Sequence, residues 1–216
     1  MSRQRQPSLR LLSLNVNGLR SADKRRTLFS LLHRDRWDVV LLQETHHTDD
    51  TEAQAWTQEG PHGLRPNWSG PSFWCHGSPT SRGVAIFLRP AADIADITLR
   101  HQAEDGRALS IDFFFAGGAF TAVRVCAPCM AAQRAGCFTH TLLPSLQTDR
   151  QLLIGGDFNC VAGQLDVLGP DSSVLGRTTG YYDGLRIAET DRQLFGESGT
   201  RTGTPSHTPA ANHQPV

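Results

Sequence analysis

The sequence lacks net charge. Its 21 Lys and Arg balance 21 Asp and Glu, so no global basic field marks a nucleic-acid binder. Lysine is nearly absent, Lys24 being the one lysine, a coding bias rather than chemistry, and Tyr181 and Tyr182 are the only tyrosines. No apolar run approaches the roughly 20 residues needed to span a bilayer. The opening "MSRQRQPS" is polar, with no apolar segment behind it. Neither membrane insertion nor secretion is expected, which points to the nucleus or the cytosol, and no obligate protein partner is evident. Five cysteines, an odd number in a chain without a secretion signal, argue against a disulfide framework.

What is present is ordinary. A chain of 216 residues with 38% hydrophobic and 19% charged is long enough for one sizeable core. Local charge is less even, because Arg20, Lys24, Arg25, Arg26, Arg34 and Arg36 cluster early, either as a solvated helix face or as a patch that tracks phosphates. No internal repeat occurs.

Along the chain, "LRLLSLNVNGLR" reads as a strand from Leu9 to about Val16, ended by the turn pair Asn17-Gly18. Ser21 is the N-cap of a helix whose apolar positions Leu28, Leu31 and Leu32 keep helical spacing. "DVVLLQE" is apolar up to its last two residues, the pattern of a strand buried on both faces. From Thr45 to Ser81 no period is sustained, and the stretch reads as loop. "GVAIFLRP", "LSIDFFFA" and "FTAVRVCAP" are short β-rich runs of a meandering sheet, "CFTHTLLPSL" is helical before its proline, and "QLLIGGDFN" is a further strand. This order predicts an α/β fold of two packed sheets flanked by helices.

Three of these strands end in the same chemistry. The first ends in Asn15 and Asn17, the second in Glu44, and the last in Asp157 and Asn159. Period-two alternation would put Asp157 and Asn159 on one face, with Phe158 turned into the core. Carboxylates with amide oxygens, and no His or Cys among them, are hard ligands suited to Mg²⁺ or Mn²⁺. A phosphodiester needs such a cluster: the cation neutralises charge on the phosphoryl oxygens, Asp157 takes a proton from the attacking water, and Asn159 orients the phosphate or that water. The reaction class is metal-assisted phosphoester hydrolysis.

"LLSLNVNGLR", "VVLLQETH", "RGVAIFL" and "LLIGGDFNCV", in this order, resemble the endonuclease/exonuclease/phosphatase superfamily, which includes exonuclease III, apurinic/apyrimidinic endonucleases and the endonuclease domains of non-LTR retrotransposons. "NVNGLR", "QETHHT" and "RTTGYYDG" look most like the retrotransposon form. The resemblance implies a four-layered α/β sandwich, Mg²⁺ dependence and DNA as the substrate. It makes Asn15 and Glu44 metal-site residues, Asp157 the general acid/base beside the metal, and Asn159 the phosphate-orienting group. Asn17 matches a position near the active centre.

Two departures stand out. The family's middle motif ends Val-Tyr-Ala-Pro, with the tyrosine reaching the scissile phosphate, whereas this chain has "VRVCAPC", placing the shorter, more weakly hydrogen-bonding thiol of Cys126 at the tyrosine's position. The family's closing Asp and Asp-His motifs have no counterpart in "ESGTRTGTPSHTPAANHQPV", where His207 and His213 lack the preceding Ser-Asp. The expected organisation is therefore an incomplete domain over 1–196, truncated before its closing strands, and a disordered tail over 197–216. An impaired nuclease is the expected result. Two alternatives remain: a zinc-stapled binding module using Cys126, Cys129, Cys137 and His140, and a small-molecule phosphatase of the same superfamily.

Overall fold

The structure is a computed structural model that describes residues 8–60, 66–90 and 93–160. Eight short strands form two sheets. In the first, β1 (Leu11–Asn15), β2 (Val39–Gln43), β3 (Ser72–Cys75) and β4 (Val84–Leu88) pair in the order β1-β2-β4-β3. The β1/β2 pair is parallel and the others antiparallel. In the second, β5 (Ile94–Gln102), β6 (Ala108–Phe115), β7 (Gly118–Cys126) and β8 (Gln151–Asp157) lie in chain order. There β5, β6 and β7 meander antiparallel, and β8 joins β7 in parallel.

Alternation of side chains along the central strands builds the layers. Val39 and Leu41 of β2 face the second sheet, in one cluster with Val84, Ile86, Leu109, Ile111 and Phe113. Val40 and Leu42 face the other way, packing with Ala85 and Phe87 against helices α1 (Ala22–Asp35) and α2 (Asp50–Gln58). On the far side of the second sheet, Val123 and Val125 pack with Phe138, Leu142 and Phe158. A helical segment covers them: α3 (Ala131–Gly136), a π turn (Cys137–Leu142) and α4 (Leu143–Leu146), with Pro144 in its first turn. The layers run helix, mixed sheet, mixed sheet, helix, the four-layered α/β sandwich expected.

Helix α1 starts where Ser21 Oγ accepts from the Lys24 N–H and buries Leu28, Phe29 and Leu32. Arg25, buried on the same helix, donates to the main-chain oxygens of Leu19 and Arg20 at 2.8 and 2.7 Å, pairs with Glu59 and lies over the Trp56 ring. The loop that follows β1 is thereby fixed to both helices.

The stretch 45–81 is not the continuous loop expected, since it holds α2 and β3. Helix α2 is set by its start: Asp49 Oδ1 accepts from the Glu52 N–H at 2.8 Å, and Glu52 Oε2 accepts from the Thr48 N–H at 2.8 Å. Only Ala53, Trp56 and Thr57 are buried on it, too short a stripe to register as periodic. Strand β5, absent from the expected set, shifts register between Ala95 and Thr98 and again between Leu99 and His101, which breaks its alternation.

The zinc-stapled module is not assembled. Cys126 and Cys137 are buried, Cys129 and His140 exposed, and Cys126, Cys129 and Cys137 are in no disulfide. Among the described residues no three His, Cys, Asp or Glu side chains meet as a ligand set. The expected boundary at 196, the tail with His207 and His213, and Tyr181 and Tyr182 lie outside the described residues. No described helix is long and apolar enough to cross a membrane.

Candidate active site

Strands β1, β2, β7 and β8 all bring their C-terminal ends to one edge, where β1 and β2 end in register at Asn15 and Gln43, and β7 and β8 at Cys126 and Asp157. Period two fixes what faces the gap between the sheets. Leu11 and Leu153 lie in the inter-sheet core; two residues on come Ser13 and Gly155, and two further on Asn15 and Asp157. The site thus opens at the mouth of the sandwich, where the apolar core gives way to polar groups. Asn15 Nδ2 donates to Asp157 Oδ2 at 3.3 Å, joining the sheets across that mouth.

Asn17 and Asn159 reach the site by a route that alternation misses. Strand β1 stops at Asn15 and β8 at Asp157, so neither Asn17 nor Asn159 is a strand residue. Instead the Asn17 N–H donates to Asn15 Oδ1 and the Asn159 N–H to Asp157 Oδ1, both at 3.0 Å. The two strands end in the same side-chain-closed turn, with Asn17 at φ 44° and Asn159 at φ 49°. Phe158 packs between β8 and the helical segment, as expected for an inward residue. Asn159 Nδ2 is anchored on the Ala127 carbonyl at 2.7 Å, and the Ala127 N–H donates to the Asp157 carbonyl at 2.8 Å.

Glu44 follows β2 at φ 51°. The Gly18 N–H donates to its carbonyl at 2.6 Å, tying it to the turn after β1. Its carboxylate lies 3.9 Å from His46 Nε2, and burial holds the His46 imidazole below its ordinary pKa, against the pull of Glu44 and with the push of Lys24 and Arg20. Lys24 Nζ reaches the Asn17 carbonyl at 2.6 Å, so a cationic rim borders the site.

Cys126 is buried beside this cluster. Burial pushes its thiol up to about 11, the Glu44 and Asp157 carboxylates adding to the shift and the Arg124 and Arg107 cations opposing it. The group is a neutral thiol at physiological pH.

The oxygen donors could suit a hard divalent cation: Glu44 and Asp157 carry carboxylate oxygens and Asn15 and Asn159 amide oxygens, with the His46 imidazole and the Cys126 thiol as their neighbours. Among the described residues the Glu44 carboxylate has His46 Nε2 at 3.9 Å as its ion-pair contact, whereas both Asp157 oxygens accept hydrogen bonds.

The sequence profile of the Endonuclease/Exonuclease/phosphatase family matches residues 12–214. The chain belongs to that family. A relative from Xenopus laevis, the transposon TX1 uncharacterized 149 kDa protein, is 29% identical over 154 residues, 70% of this chain and 11% of that protein. The chain thus spans about a tenth of that relative's length. Among solved structures, the fold is similar to an AP endonuclease from Archaeoglobus fulgidus, at 19% identity and TM-score 0.60 over 87% of this chain and 71% of that one. It is also similar to the endonuclease domain of TRAS1, a telomere-specific non-LTR retrotransposon, at 14% identity and TM-score 0.51 over 80% and 71%.

Within this family frame, one residue at the site escaped the reading of motifs. Arg124 is fully buried on the inter-sheet face of β7, two residues before Cys126. Its signal was present in "FTAVRVCAP", where a guanidinium occupies a position that alternation with Phe120 and Ala122 reserves for the core.

Proposed function

We propose that this domain hydrolyses DNA phosphodiester bonds with the aid of a divalent cation, Mg²⁺ or Mn²⁺, as an endonuclease whose rate is lowered by the thiol at Cys126. The observation that carries the reading is the Asn15–Asp157 hydrogen bond across the two sheets, which gathers oxygen ligands from separate strand ends at one mouth. Family membership supports a hydrolase, and the retrotransposon-like motifs support DNA over a small phosphoester.

In this reading Asn15, Glu44, Asp157 and Asn159 would hold the cation. The bound cation would neutralise phosphoryl charge and steady the leaving oxygen. Asp157 accepts a proton as the water oxygen bonds to phosphorus and the P–O bond to the leaving oxygen breaks. Its carboxylate is already aimed, because Asn15 holds one oxygen and the Asn159 N–H the other. Asn159, fixed on the Ala127 carbonyl, orients the phosphate. Lys24 on the rim takes a flanking phosphate of the strand. Cys126 neither donates strongly nor ionises at neutral pH, so the contact expected of a phenol hydroxyl is missing; one lost transition-state donor costs about 10²- to 10³-fold in rate.

A nicking assay on supercoiled and abasic-site plasmids with Mg²⁺ tests the reading. The expected result is slow cleavage, abolished by Asp157→Ala and accelerated by Cys126→Tyr. Cleavage untouched by Asp157→Ala would overturn the assignment, and turnover of small phosphate monoesters in preference to DNA would make the enzyme a phosphatase.

A further inference from the structure

Arg124 is the largest side chain in the protein's described core to be wholly buried, and it carries a charge. Among the described residues no carboxylate hydrogen-bonds to it. Its Nε crosses the gap between the sheets to the Leu42 carbonyl at 2.9 Å, and its Nη1 donates to the carbonyls of Gly155, at 2.8 Å, and Val125. Nη2 is buried without a partner. Burial lowers its pKa to about 9, with Asp157 among the groups that favour the charged form, so at neutral pH it stays a cation.

Such a group is a costly way to fill a core, since apolar residues of similar volume generally serve stability as well or better. The chain has made room for it nonetheless. A Cβ at Gly156 would fall 2.7 Å from Arg124 Nη1, and one at Gly155 would fall 2.5 Å from Leu41 Cδ1 and 3.2 Å from Ser13 Oγ. The two glycines before Asp157 let β8 approach both the guanidinium and the opposite sheet.

The placement of the bonds carries the inference. Leu42 lies two residues before Glu44, and Gly155 lies two residues before Asp157. A single rigid fork therefore spans the two acid-bearing strands at the same offset behind each acid. Coordination makes that span matter: Mg²⁺ demands near-octahedral oxygens at about 2.1 Å, whereas Ca²⁺ accepts looser sets at about 2.3–2.6 Å. The distance between the strand ends then sets which cation fits.

We infer that Arg124 is a positioning residue that clamps β2 to β8 behind the site and so fixes the spacing of Glu44 and Asp157 for a small divalent cation, Mg²⁺ rather than Ca²⁺. The inference rests on the proposed metal site. Lysine cannot replace the fork, because an ammonium on a flexible stem has no fixed planar geometry with which to hold three carbonyls in two sheets.

The test is calorimetric titration of the full chain with Mg²⁺ alone and with Ca²⁺ alone, on wild type, Arg124→Met, Arg124→Lys and Asp157→Ala, each with a thermal melt. The expected result is that both Arg124 variants fold cooperatively and shift the Mg²⁺:Ca²⁺ affinity ratio about tenfold toward Ca²⁺, while Asp157→Ala loses both cations. An unchanged ratio in either folded variant overturns the inference. So does a wild-type ratio in Arg124→Lys beside a shifted one in Arg124→Met, because charge rather than spacing would then be at work. Failure of both variants to fold would assign Arg124 to the core alone, also against the inference. Wild-type binding by Asp157→Ala would instead strike the metal-site reading itself.

Discussion

Mild acid should destabilise this protein through one residue, His47. Its side chain is fully buried, Nδ1 sits 2.7 Å from Thr45 Oγ1, and Nε2 has no partner. The rings of Trp74, His76 and Trp56 stand edge-on around it, at 4.8, 5.0 and 6.3 Å between centroids. A proton added here would charge a group with nowhere to place its second N–H. Burial, helped by the neighbouring His76, accordingly lowers the imidazole from 6.5 to about 3. The folded state therefore binds its proton less readily than the unfolded state, so His47 contributes stability above about pH 6.5 that is lost as pH falls toward 3. Each pH decade in that window costs about 1.4 kcal/mol, which gives about 2 kcal/mol between pH 7 and pH 5 and a ceiling on the order of 3–5 kcal/mol. Urea unfolding of wild type and His47→Leu at about pH 7 and pH 5 isolates the effect, since His46, lowered in the same direction, titrates in both proteins. Wild type should lose about 2 kcal/mol more than the variant over that interval. Equal losses would refute the reasoning, because the pH dependence would then come from elsewhere.

Gly156→Ala should destabilise by about 1–3 kcal/mol or more by denaturant unfolding, since the added Cβ would meet the Val125 carbonyl at 2.4 Å as well as Arg124. Asp49→Ala should lower the melting temperature and raise amide exchange in the first turn of α2, where Asp49 accepts the Glu52 N–H. That N–H holds the Asp49 carboxyl below its ordinary 3.8, so the difference between the two proteins should shrink in melts taken as pH falls below that value.

How much could be read beforehand depended on whether local pattern and tertiary packing agreed. Strand β2 was legible because both of its faces are buried and its sequence is apolar up to Gln43. Helix α1 was legible because cap and stripe coincide. Strand β3 has four residues at a sheet edge, and β5 turns mostly to solvent with two register shifts, so neither sequence carries a period to read. At the site, Asn15 and Asp157 followed from alternation, whereas Asn17 and Asn159 stand beyond their strands and are brought in by turns that their own backbone N–H groups close. Alternation along β8 is therefore the wrong geometric reason for placing Asn159 beside Asp157; the turn after the strand does it.

Glu44 shows what alternation alone would have cost. Continued as a strand, β2 would turn residue 44 to the same face as Val40 and Leu42, toward the helices and away from the inter-sheet mouth. A left-handed step at φ 51° breaks that parity, and the Gly18 N–H on the Glu44 carbonyl holds the step in place. The step is not isolated. Of eight described non-glycine residues with positive φ, five (Asn17, Glu44, His46, Arg82 and Asn159) belong to the loops that leave the strands at this edge. Each such residue costs on the order of 1 kcal/mol against a right-handed one, and glycine would relieve it at every position. Glycine cannot supply a carboxylate, an amide or an imidazole, however. The strain is offset by the lacing of the loops, in which the Thr45 N–H bonds to the Gly83 carbonyl, the His46 N–H to that of Arg82, and the Gly83 N–H to that of Gly106. An edge that bends its backbone at these residues and ties its loops to one another is built to hold its polar side chains in fixed relation, as the proposed binding of one cation by oxygen ligands from several loops would require.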